Sequence, residues 1–119
     1  MSTLCLDIGN TTTHLGRVQG DQVSGESRIP TANLGQELQA ILRSHADARL
    51  LAYCSVVPTA NATVEQVAAA ADLELFNLNA QTCPLPIDYP NPGEIGQDRL
   101  ANAVAAADCA KLPAIVIDM

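Results

Sequence analysis

Residues 3–12 read TLCLDIGNTT. Leu4, Cys5 and Leu6 make an apolar run that ends in Asp7. The pattern is that of a buried first strand, over 3–8, whose last carboxylate projects from the end of a sheet into the turn that follows. Gly9 lets a backbone approach an anion with no Cβ in the way. Asn10 continues the turn, and Thr11, Thr12 and Thr13 offer hydroxyl and N–H donors. A carboxylate beside phosphate donors is where a magnesium ion sits, directly or through water. The same residues also suit a plain hairpin turn held by Asx and threonine hydrogen bonds, and composition alone leaves both readings open.

Working outward, residues 14–18 read as a second strand. Gly20-Asp21 makes a turn, and residues 22–29 alternate weakly as a third strand, so the chain opens with an antiparallel meander. Pro30-Thr31-Ala32-Asn33 offers caps for a helix whose apolar positions are Leu34, Leu38, Ile41 and Leu42. Residues 50–57 form a buried strand. Pro58 stops it and suits the first turn of a helix that runs to about Ala71, with Val64, Val67, Ala68 and Ala71 on one face. Residues 74–78 are a short strand candidate. Residues 79–97 carry four prolines and two glycines, a stiffened loop of the kind that is usually functional in a compact domain. A helix follows from Asp98, with Leu100, Ala103, Val104 and Ala107 on one face. Lys111 in its last turn and Pro113 mark its end. The final residues, 114–119, read AIVIDM, an apolar strand ending in Asp118 that repeats the opening pattern of strand and carboxylate. Strands followed by alternating helix and strand predict an α/β fold.

A chain of 119 residues is the size of one domain. Hydrophobic residues are 48% and aromatic residues 3%, so the core is built from Leu, Val, Ile and Ala. The apolar stretches are too short to span a bilayer, and no basic region precedes an apolar run at the N-terminus. The expectation is a cytoplasmic protein with no membrane partner. The formal net charge of −7 argues against nucleic acid, whose binding rests on Lys and Arg. It leaves room for a small nucleotide held by backbone N–H groups, hydroxyls and a metal ion. Cys5, Cys54, Cys83 and Cys109 are scattered and lack disulfide or zinc spacing. They read as ordinary thiols, Cys5 and Cys54 inside apolar runs.

A second stretch with chemical content runs from Tyr89 to Ala107, YPNPGEIGQDRLANAVAAA. Gly96, Gln97 and Asp98 sit where a loop enters a helix. Asp98 there is either a helix cap or a base or orienter for a hydroxyl nucleophile. Arg99 either grips a substrate oxygen or pairs on the surface with Glu94 or Asp108. Tyr89 walls a pocket or packs under the loop, and Asn102 faces the site or solvent. His45, in a polar stretch, reads as exposed. His14 follows the threonines, beside any bound phosphates. No Ser-His-Asp, Cys-His or metal-ligand cluster is visible.

Together the two stretches resemble the type III pantothenate kinases (the Bvg accessory factor family), of the acetate and sugar kinase, heat-shock 70 and actin superfamily. The family's first phosphate motif, Asp-x-Gly-Asn-Thr, matches Asp7, Gly9, Asn10 and Thr11. Its pantothenate motif, Gly-x-Asp-Arg after a Tyr and an Asn-Pro region, matches Gly96, Asp98 and Arg99 after Tyr89 and Asn91-Pro92. The segment CSVVP, residues 54–58, is also similar. A second phosphate motif, Asp-x-Gly-Thr-Ala, would begin at Asp118-Met119. Gln97 stands where the family often has a small residue, and His14 where Lys is frequent.

The resemblance implies a ribonuclease H-like (actin-like ATPase) domain, a mixed five-stranded sheet with flanking helices, over residues 1–113. Residues 114–119 would then be the first strand of a second domain. It implies ATP-dependent phosphorylation of pantothenate to 4'-phosphopantothenate, the first step of coenzyme A biosynthesis. ATP phosphates would lie against Asp7, Ile8, Gly9, Asn10, Thr11, Thr12, Thr13 and His14, with Mg²⁺ at Asp7. Asp98 would take the proton of the pantothenate hydroxyl, and Tyr89, Gly96, Gln97, Asp98 and Arg99 would hold pantothenate. Asp118 would bind a monovalent cation, K⁺ or NH₄⁺. The full-length protein would be a homodimer, and this half alone would not turn over. The alternatives are a non-catalytic regulator of the same superfamily that binds nucleotide or a pantothenate-like ligand, and a kinase for another small alcohol. Asp98-Arg99 in its Gly-x-Asp-Arg context favours pantothenate over the latter.

Overall fold

The computed structural model describes residues 2–109 and 112–117. In β1 (Ser2–Ile8), Ser2, Leu4, Leu6 and Ile8 are buried while Thr3, Cys5 and Asp7 are not. That two-residue period gives the strand one core face and one open face. β2 (Thr12–Gln19) and β3 (Gln22–Pro30) complete an antiparallel meander. β4 (Ala48–Ser55) pairs with the other side of β1 in parallel, and β5 (Glu74–Asn77) adds in parallel to β4. The order β3-β2-β1-β4-β5 is the mixed five-stranded sheet expected of a ribonuclease H-like domain.

Two helices cover the core face. α1 (Leu34–Ser44) follows a short 3₁₀ turn at Thr31–Asn33, and α2 (Pro58–Ala70) starts with Pro58 in its first turn. Leu34 and Leu38 of α1 and Ala60, Val64 and Val67 of α2 pack on Leu6, Ile8, Leu15, Ile29, Leu51 and Tyr53 of the sheet. Each large aliphatic side chain buried there contributes about 1.5–3 kcal/mol relative to exposure. α3 (Gln97–Cys109) lies against β4, and Leu100 is its buried residue. Among the described residues no helix is long and apolar enough to cross a membrane.

Several expectations shift. Asn33 makes no side-chain cap bond, and the Thr31 hydroxyl is committed to the turn after β1 instead of to a cap. β4 begins at Ala48 rather than residue 50. The buried face of α2 is Ala60, Val64, Val67 and Ala68, and Ala71 is exposed. The chain leaves the helix there, since Asp72 takes a positive φ of 56°. His45 is half-buried, its Nδ1 2.8 Å from the Ile41 carbonyl at the end of α1. Residues 114–117 are exposed and not in a strand, because a strand needs a hydrogen-bonded neighbour and the five-stranded sheet supplies none to them. Asp118 lies outside the described residues.

Candidate functional site

The turn after β1 is held from both sides. The Gly9 N–H donates to the Thr12 carbonyl at 3.0 Å. A Cβ on Gly9 would come within 2.9 Å of that same oxygen, so the turn needs glycine. The Thr31 hydroxyl donates to the Gly9 carbonyl at 2.8 Å. The buried Thr13 hydroxyl lies 2.9 Å from Thr31 Oγ1 and, with the Thr31 proton already given, is the donor. The Thr31 N–H closes on the Thr11 carbonyl at 2.9 Å. Ile8 and Thr13 thus turn their side chains into the protein. Asp7, Asn10, Thr11 and His14 remain exposed.

Strand register places a row of side chains on the open face. Asp7 pairs with His14 on β2 and with Cys54 on β4, and His14 pairs with Arg28 on β3. Paired residues share a face. The row lines a cleft of about 690 Å³ whose other wall is α3, through Asp98, Ala101, Asn102 and Ala105. Asp7 and Asp98, from opposite ends of the chain, therefore meet across one cleft, with His14 and Asn102 beside them.

The buried Cys54 thiol donates to Asp7 Oδ1 at 3.5 Å. Burial, then the negative charges of Asp7 and Asp98, push its pKa up to about 12, so the thiol is a neutral donor. Asp98 sits in the first turn of α3, and its Oδ1 accepts the Arg99 N–H at 3.0 Å. A Cβ on Gly96 would lie 2.7 Å from that oxygen, so Gly96 makes room for the carboxylate. The Arg99 and Leu100 N–H groups also reach the Gly96 carbonyl, at 3.0 and 3.3 Å.

Other members of the second motif stand apart. Gln97 turns its Oε1 to the Ser55 N–H at 3.1 Å. Arg99 is exposed. Among the described residues the one ion pair is Arg17–Asp47, not Arg99 with Glu94 or Asp108. Tyr89 is 49% exposed and lies outside the cleft lining. Cys54, Arg28 and Thr31 belong to the surroundings of the site, and nothing local in the sequence links them to it, although Cys54 opens the family-like CSVVP segment. Only the strand register and the return of the chain at residue 31 reveal them.

The donors suit a small hard cation that keeps part of its water. Among the described residues no cluster of three or more His, Cys, Asp or Glu is placed to hold an ion, so a closed protein cage is absent there. Magnesium leans on one or two carboxylates plus substrate phosphates, and the exposed Asp7, beside a loop of amide and hydroxyl donors, fits that role.

The type III pantothenate kinase family model matches residues 3–119. The chain is 37% identical over 117 residues to a type III pantothenate kinase of Methylacidiphilum infernorum, covering 97% of this chain and 42% of that protein. It is 32% identical over 129 residues to one from Geobacillus thermodenitrificans, covering 95% and 48%. The chain thus spans about half the length of the curated relatives it matches. The Thermus thermophilus RuvC structure superposes with a TM-score of 0.56 at 14% identity, over 98% of this chain and 84% of that one, a likeness of fold alone. With its two motifs in order and meeting across one cleft, this chain belongs to the type III pantothenate kinase family.

Proposed function

We propose that the full-length protein carrying this chain transfers the γ-phosphoryl group of ATP to the hydroxyl of pantothenate, giving 4'-phosphopantothenate in the first step of coenzyme A biosynthesis. The observation that supports this reading most is the meeting of Asp7 and Asp98 across one cleft, each beside the glycine of its own motif. The family relationship supplies the substrates.

In this reading the turn from Asp7 to His14 receives the phosphates. Its N–H groups other than that of Gly9, with the Thr11 and Thr12 hydroxyls, would face the anion, while Ile8 and Thr13 brace the turn from within. Asp7 would hold Mg²⁺, which when bound offsets phosphate charge. Asp98 accepts the proton of the attacking hydroxyl. Phosphoryl transfer rests on positioning and charge stabilisation, so a carboxylate held in place is an adequate base. Gly96 and Arg99 would hold pantothenate, with Tyr89 drawn in from its exposed loop.

Residues 1–113 then form the first domain, and 114–119 begin a second that carries the remaining phosphate motif. Asp118 would be the ligand of a monovalent cation, K⁺ or NH₄⁺. The full-length protein would be a cytoplasmic homodimer, and the 119 residues alone would not turn over.

The test is an ATP- and pantothenate-dependent assay of the full-length protein and its Asp98→Asn variant. Turnover should be strong in the first and fall by at least about 10²-fold in the second, with the fold intact by circular dichroism. Near-normal turnover in Asp98→Asn removes Asp98 as the base. Ligand binding without turnover by the unmodified protein would favour a non-catalytic regulator.

A further inference from the structure

The end of β4 touches both carriers of the two carboxylates. Cys54 donates to Asp7 Oδ1 at 3.5 Å. The next N–H, that of Ser55, donates to Gln97 Oε1 at 3.1 Å, and Gln97 opens α3 directly before Asp98. This strand end is itself fixed. The Ser55 hydroxyl donates to the Val57 carbonyl and accepts the Val57 N–H, both at 3.0 Å. The Val56 N–H continues the ladder to the Ile8 carbonyl at 3.0 Å, and β4 is paired with β1 as far as Ser55 and with β5 as far as Tyr53.

We propose that Cys54-Ser55 is a clamp that sets the spacing of Asp7 and Asp98, with Cys54 and Gln97 as its positioning residues. The inference rests on the reading of Asp7 as the cation-holding group and Asp98 as the base. Both linkages are uncharged, which suits the task. A lysine or arginine beside Asp7 would orient the carboxylate but cancel the charge that a cation needs. A protonated thiol orients it and leaves that charge intact. The Gln97 amide likewise ties down the start of α3 without a new charge beside Asp98. The Gln97 carbonyl oxygen thus serves a structural tie to the Ser55 N–H, beside any contact its amide NH2 makes with pantothenate.

Gln97→Met keeps the length of the side chain and removes the acceptor, whereas Gln97→Glu keeps an acceptor. In the full-length protein Gln97→Met should lower kcat about tenfold, since a small displacement of a reacting group is costly. The KM for pantothenate should stay largely unchanged, and Gln97→Glu, which keeps the acceptor but sets a new charge beside Asp98, should restore the tie to Ser55 without fully restoring kcat. In the 119-residue chain, exchange of the Ser55 amide should accelerate in Gln97→Met and not in Gln97→Glu. Gln97→Ala serves the same comparison if the methionine variant does not fold. For the other arm, Cys54→Ala should weaken Mn²⁺ binding to the full-length protein with ATP severalfold, read by electron paramagnetic resonance without pantothenate. Cys54→Ser should hold it. A raised pantothenate KM with unchanged kcat in Gln97→Met, or wild-type Mn²⁺ affinity in Cys54→Ala, overturns the clamp. A full-length protein that never phosphorylates pantothenate sinks the functional reading instead, and the Ser55 exchange and Mn²⁺ titration still judge the clamp.

Discussion

Gly9 and Thr31 hold one loop by different physics. At Gly9 the constraint is steric, because an added methyl meets a backbone oxygen at 2.9 Å and the loop must open to admit it. At Thr31 it is polar satisfaction. Its hydroxyl serves the Gly9 carbonyl and receives the buried Thr13 hydroxyl, so removal strands two groups at once. Thr31→Val should cost about 1–3 kcal/mol in urea unfolding of the 119-residue chain, and Thr31→Ser should recover most of it. A valine variant as stable as the parent would show that the loop stands without this anchor. Gly9 was legible from sequence because its demand is local. Thr31 was not, since a threonine before a helix reads as a cap, and only the pairing of β2 with β3 brings it back to Thr11 and Thr13.

Elements with a strong period were legible, and their ends were not. The alternation of β1 and the spacing of Leu34 and Leu38 on α1 are statements about one buried face, and both hold in the fold. Ala48 and Arg49 gave no apolar signal, yet they extend β4, because β1 beside them supplies the ladder. Residues 114–117 gave a strong apolar signal and form no strand, because that partner is missing. The site divided the same way. Asp7 and Asp98 were visible as motif residues, whereas the contacts of Cys54 and Gln97 depend on which strand lies next to which. If α1 is held by its buried stripe, Leu38→Ala, at a side chain with no exposure, should cost about 2–5 kcal/mol. Leu42→Ala, on a partly buried neighbour, should cost clearly less. Equal shifts in the urea midpoint would place the packing elsewhere.

At the scale of the whole molecule, ionisable groups set an asymmetric response to pH. Burial raises the pKa of the Cys5 thiol above 9.0 and, with the Glu65 charge, that of the Tyr53 hydroxyl above 10.0. Cys54, pressed also by Asp7 and Asp98, is pushed from 9.0 up to about 12. All three are acids that keep their proton in the fold and lose it earlier when unfolded. As pH rises past 9, the unfolded chain releases protons that the native chain retains, so stability falls. The contribution of Cys54 is complete below pH 9 and lost by about pH 12. On the acid side, Arg17 holds the Asp47 carboxyl below 3.8. Its contribution is present above that value and lost as pH falls through the lowered pKa, but the pair is exposed and solvent screens it. The urea midpoint of the 119-residue chain should therefore decline steeply above pH 9 and only shallowly on the acid side as far as Asp47 is responsible. Cys54→Ala should flatten part of the alkaline decline, and Cys5 and Tyr53 should account for the slope that remains. A wild-type midpoint level from neutral pH to well above 9, or a Cys54→Ala profile parallel to it, would mean that Cys54 is not held as a neutral donor between the two carboxylates.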